Sequence, residues 1–118
     1  MRTDETVRLA VVGDLLTLSR PLNAIVAQLA TMSWDYEGSG VELTRNHLAI
    51  ALQRYLQGAL SDADIESWAN QIEGRDDIQF ETDIERKIED VFYELANPKL
   101  TEALSHTRAK ELIEKLNL

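Results

Sequence analysis

No cysteine occurs among the 118 residues, which excludes a disulfide scaffold, a thiolate zinc site and a cysteine nucleophile. Nor does any apolar run approach the ~20 residues of a membrane-spanning helix. With Asp4 and Glu5 near its start, the N-terminus does not read as a secretory leader. Basic residues are scarce, 12 Lys plus Arg against 21 Asp plus Glu, for a formal charge of −9. A cytoplasmic protein is the expectation. Yet 44% of the residues are hydrophobic, and the charges are interspersed among them, so the chain is not a disordered acidic tail. At 13.4 kDa, folding should bury roughly two-thirds of the unfolded surface in one domain spanning residues 1–118.

The negative charge is concentrated. Residues 61–90 carry 11 acids and 3 bases, whereas the other three-quarters of the chain is nearly neutral. Such a segment repels phosphate backbones and anionic membranes and attracts a basic protein. A solvated, solubilising helix face is the plainer alternative.

Hydrophobic periodicity indicates helices. Val7, Val11, Leu15 and Leu18 fit one helical stripe, although Val7, Leu9 and Val11 also alternate, and Gly13-Asp14 offers a hairpin turn. Ser19 is placed to cap a helix carrying Leu22, Ile25, Val26 and Leu29, with Pro21 in its first turn. The stretch SWDYEGSGVEL, residues 33–43, has no helical period and suggests a loop or a short strand pair. Thr44 caps a helix with Leu48, Leu52, Tyr55 and Leu56 on one face, ended by Gly58. Ser61 and Asp64 form a capping-box pattern before Ile65, Trp68, Ala69 and Ile72, with Gly74 beyond. The short connection between these two helices implies a helical hairpin. Thr82 or Asp83 opens a helix bearing Ile84, Ile88, Val91, Phe92 and Leu95, closed by Asn97-Pro98. Ala109, Leu112, Ile113 and Leu116 form the last apolar face. The expected fold class is therefore all-α, a compact bundle of five or six short amphipathic helices, with a short strand pair around residues 33–43.

Signatures of chemistry are few. Asp62, Asp64, Glu66 and Glu73 occupy the first, third, fifth and twelfth positions of a calcium-loop pattern, but Ser67 stands where the turn requires glycine. The apolar spacing across the same residues favours a continuous helix. His47 and His106 lie far apart, each without a second imidazole at helical spacing, and Glu102 with His106 reads as an exposed helix pair. There is no phosphate loop, nucleophile elbow or HExxH motif. The expectation is a non-enzymatic protein with no metal and no cofactor, a carboxylate-based enzyme or metal protein being the remote alternative. Trp68 and Phe92 fall on helical stripes and belong to the core. Trp34 and Tyr36, in a Gly-containing loop, are either folded over that core or anchors for a partner.

The stretch RYLQGALSDADIESWANQIE, residues 54–73, resembles the colicin-like self-protective immunity proteins of bacteria in its helix–Gly–Leu–Ser–helix–Trp cadence. The resemblance covers about a sixth of the chain. It implies a small acidic helical protein that neutralises a cognate nuclease by occupying its basic cleft, without binding nucleic acid itself. On that reading the acidic region is the working surface, with Asp76, Asp77, Glu81 and Asp83 as partner-binding residues beside Trp34 and Tyr36. Charge reversal at Asp76, Asp77 and Glu81 is then expected to remove binding and leave the fold intact. The alternative is a homo-oligomer, in which the apolar helices of residues 7–29 pair with a second copy.

Overall fold

The computed structural model describes residues 2–32, 36, 38 and 40–117, with side chains from residue 6 onward. Six helices and two short strands follow in the order α1 (Arg2–Thr17), α2 (Leu22–Leu29), β1 (Val41–Leu43), α3 (Arg45–Leu56), α4 (Asp62–Ile72), β2 (Ile78–Phe80), α5 (Glu85–Ala96) and α6 (His106–Leu116). The fold is all-α apart from this pair of strands.

The N-terminal segment is helical through Gly13, so the hairpin at Gly13-Asp14 does not form. Burial explains the choice. Val11, Val12, Leu15 and Leu16 are all buried, a stripe at i, i+1, i+4 and i+5 that only a helix brings together. This stripe is rotated from the one expected: Val7 is 43% exposed, and Leu18 lies beyond the helix at φ 52°. Two long-range donors receive the carbonyls at this helix end. Trp68 Nε1 donates to Leu15 O at 2.7 Å and Arg54 to Leu18 O at 3.1 Å.

Ser19 does not cap α2. Its hydroxyl donates to Asp14 Oδ1 at 2.8 Å, and Pro21, which has no side-chain oxygen, holds the N-cap position. The expected caps do form on α3 and α4, as reciprocal boxes between Thr44 and His47 and between Ser61 and Asp64. Gly58 and Gly74 adopt φ 83°, the left-handed conformation expected just past helix ends. At α5, neither Thr82 nor Asp83 caps the helix: Ile84 occupies the N-cap position and Asp83 turns the chain at φ 76°.

The strand pair differs from expectation in its partner. β1 does lie within residues 33–43, but it pairs in parallel with β2, Val41 opposite Ile78 and Leu43 opposite Phe80. A parallel pair requires a crossover, and α3 with α4 supplies it. The strands approach so closely at Gly40 that a Cβ there would stand 2.4 Å from Asp77 O.

The hairpin expected of α3 and α4 is subordinate to other pairings, because α4 packs chiefly on α5 and α3 on α6, while α1 covers α2. The stripes account for this. Trp68 of α4 meets Phe92 of α5 at 5.2 Å between ring centroids, and Phe92 stacks in turn on Phe80 at 5.7 Å and 7°. One contiguous apolar core draws on all six helices and both strands, with Trp68 and Phe92 fully buried.

The two glycines should respond oppositely to alanine. Gly13 sits mid-helix with open space around it, so Gly13→Ala is expected to raise stability by about 0.5–1 kcal/mol. Gly40→Ala must part the strands and is expected to cost about 1–3 kcal/mol. Urea midpoints of the two variants measure both effects.

Candidate functional site

The acidic segment divides into carboxylates that hold the fold and carboxylates left for solvent. Asp77 belongs to the first group: it is 0% exposed. Arg75 grips it in a fork, Nε to Oδ1 at 2.8 Å and Nη2 to Oδ2 at 3.0 Å, and Arg8 of α1 adds Nη1 to Oδ2 at 2.9 Å. Burial opposes the charge, but hydrogen bonds and attraction from both guanidiniums outweigh it and hold this carboxyl below its ordinary pKa. Arg75 is itself buried. Asp77 is therefore not a surface residue available to a partner, contrary to the expectation from its charged neighbourhood.

Glu81 is also committed. Its Oε1 accepts from the Arg45 backbone N–H at 2.9 Å, and its Oε2 accepts from the Arg45 guanidinium at 2.9 Å. These contacts lock the end of β2 to the first residue of α3, where the helix dipole favours an anion. The hydrogen bonds from Arg45 keep the Glu81 pKa below its usual value. Reversing Asp77 and Glu81 thus breaks two structural contacts, and the expectation that the triple reversal leaves the fold intact is corrected. Asp76 and Asp83 are exposed. Tyr36 is half-buried, with the Arg8 guanidinium 5.4 Å from its ring centroid, and Trp34 lies outside the described residues.

The exposed acids of the segment are Asp62, Asp64, Glu66, Asp76, Asp83, Glu85, Glu89 and Asp90. Glu89, Asp90 and Tyr93 stand at i, i+1 and i+4 on α5, so they share its outer face. Together with Glu73, Gly74, Phe80 and Phe92 they line an open cleft of about 600 Å³. Tyr93 is 49% exposed at its edge. Partial burial raises the Glu73 pKa above its ordinary value. Three carboxyl groups around an aromatic floor can receive a cation by charge and by its contact with ring faces. In the sequence Glu73 stood out only as the last position of the calcium-loop pattern, and none of Glu89, Asp90 and Tyr93 was singled out. The available signal was Tyr93's position immediately after Phe92, off the buried stripe and one helical turn from Glu89 and Asp90.

In a second acidic hollow one carboxylate is already taken by a guanidinium. Asp62, Glu66, Glu94 and Glu102 line a small pocket of about 50 Å³, where Arg108 binds Glu94 through Nε at 2.6 Å and Nη2 at 2.7 Å. These hydrogen bonds raise the Arg108 pKa. The carboxylates of the calcium-loop pattern lie along and just beyond α4, a continuous helix. Among the described residues no group of three or more His, Asp or Glu is placed to hold a metal. His47 serves a helix cap, and His106 meets the Tyr55 ring edge-on at 5.3 Å.

Comparison with protein-family models, curated proteins and solved structures finds no match.

Asp77→Asn tests the division of the acids. At pH 7 it removes the anion between two guanidiniums and is expected to cost about 3 kcal/mol. The sign of the pH dependence follows from the depressed native pKa: the contribution of the charge is present above the ordinary value of 3.8 and is lost as pH falls through the lower native value. Urea unfolding at pH 7 and pH 3 should show the gap between wild type and variant narrowing at the lower pH.

Proposed function

We propose that the protein is a non-enzymatic binding module whose acidic face engages a basic protein. The observation that carries this reading is the open cleft at Glu73, Glu89, Asp90 and Tyr93, where exposed carboxylates and an aromatic edge lie together. Arg75, the basic residue nearest the cleft in sequence, is turned inward onto Asp77, so it does not compensate the rim. Asp76, Asp83 and Glu85 add exposed acids nearby, while Arg86, Lys87 and Lys115 line a neighbouring hollow with Asp83 and Asp90.

The finer proposal is an immunity-type or antitoxin-type inhibitor of a nuclease. Its support is the resemblance of residues 54–73 to colicin-like immunity proteins together with the chain's net charge of −9. Negative charge suits occupation of a cleft built to hold phosphates. Bacterial cytoplasm is the compartment this reading implies.

One observation favours self-association as a second reading. Ile50, 48% exposed, lines an apolar groove with Leu16, Leu18 and Ala51, close to the N-terminal helices expected to pair. Sedimentation at tens of micromolar separates the two: the binding-module reading permits a monomer, and self-association requires a dimer.

Affinity capture from the native host's lysate at low salt, with a salt-gradient elution, tests the acidic face. Wild type should retain a basic protein that Glu89→Lys/Asp90→Lys loses, with affinity for the isolated partner falling by about 10- to 100-fold while the variant stays folded. Nuclease activity in that partner, blocked by wild type, would support the inhibitor reading. An empty eluate, or retention unchanged by both the variant and 0.5 M salt, would contradict the electrostatic reading.

A further inference from the structure

We propose that His47 is a pH-sensitive latch at the N-terminus of α3, closed while its imidazole is neutral and released when the ring takes a proton. The geometry fixes which form fits. Nδ1 of His47 accepts the Thr44 backbone N–H at 3.0 Å, while the His47 N–H donates to Thr44 Oγ1 at 3.4 Å. An imidazolium has no lone pair at Nδ1. A protonated ring can keep contact with the Thr44 hydroxyl, 3.3 Å from Nδ1, but it must abandon the Thr44 N–H.

The surroundings reinforce the neutral form. The ring is half-buried at the positive end of a helix dipole. Arg54 lines the same groove from further along α3, and α1 and the residue after it contribute the uncharged Leu16, Thr17 and Leu18. Asp14 of α1 is paired with Arg20 and does not line the groove. Glu42 of β1 attracts the imidazolium and opposes the trend. Glu81, beyond β2, is taken by Arg45. The balance lowers the His47 pKa, with desolvation as the main cause.

Release acts on more than one hydrogen bond. Thr44 joins β1 to α3, and its neighbours carry the two links to the other strand: Leu43 O accepts the Glu81 N–H, and the Arg45 N–H donates to Glu81. Losing the imidazole half of the capping box, the bond from the Thr44 N–H, therefore loosens the joint through which the parallel strands meet the crossover helix. Because the native value lies below the ordinary 6.5, stability from the neutral ring is complete above pH 6.5 and is lost as pH falls through that lower native value.

His47→Gln keeps an acceptor at this capping position and removes the titration. Between pH 7 and pH 5 the wild-type Tm should fall by about 3–6 °C more than that of His47→Gln. Exchange of the Thr44 amide, corrected for intrinsic rate, should accelerate several-fold over this range in wild type only. The ring titration of His47 in the native protein, followed by NMR, decides the question even if the variant folds poorly. A His47 pKa at or above 6.5, or parallel Tm curves for wild type and His47→Gln, would overturn the latch.

Discussion

Two guanidinium groups close on one buried carboxylate, and much of the molecule's geometry follows from that contact. Asp77 draws Arg8 from α1 and Arg75 from the turn after α4, so a residue late in the crossover is tied to the N-terminal helix. Its own carbonyl accepts the Val41 N–H at 2.9 Å, which starts the parallel strand pair, and only glycine fits beside it at position 40. A charge withdrawn from water to this extent is tolerated because both of its oxygens are satisfied and two cations offset it. Replacing Asp77 removes the one carboxylate that both guanidiniums share.

This commitment also changes the meaning of the acidic segment. Eleven carboxylates in thirty residues look like one uniform field in the sequence, but they divide by chemistry once folded. Asp77 and Glu81 are spent on internal guanidiniums, Asp64 on a helix cap, and Glu94, outside the segment, on Arg108. Glu89, Asp90 and the half-buried Glu73 have no such ion pair among the described residues and surround an aromatic floor instead. The proposed binding surface is what remains after the structural charges have been subtracted.

The elements that could be read from the sequence are those specified locally. Thr44, Ser61 with Asp64, Gly58 and Gly74 mark helix ends within a few residues of the helices they bound, and Ile65, Trp68, Ala69 and Ile72 display the 3.6-residue period of a single buried stripe. The strand pairing was not legible, because three-residue strands are too short to show alternation and their partners lie 37 positions apart. Asp77 looked exposed because it lies among charged residues, and one of its two partners, Arg8, is 69 residues away. The Ser19 cap failed because Asp14 captured the hydroxyl first. The cleft followed the same logic: Glu89 and Asp90 sit at helical spacing from Tyr93, but Glu73 and Phe80 reach it only through the packing of α4 and β2 against α5.

Site-resolved titration of the side-chain carboxyls by NMR tests this sorting of charges most directly. The account predicts that Asp77 and Glu81 titrate below their ordinary values of 3.8 and 4.5, held down by Arg8, Arg75 and Arg45, and that Glu73 titrates above 4.5 because it is partly buried beside the cleft. An Asp77 that titrates at or above 3.8 would mean that the two guanidiniums do not hold its charge, and the division between structural and available carboxylates would fail with it.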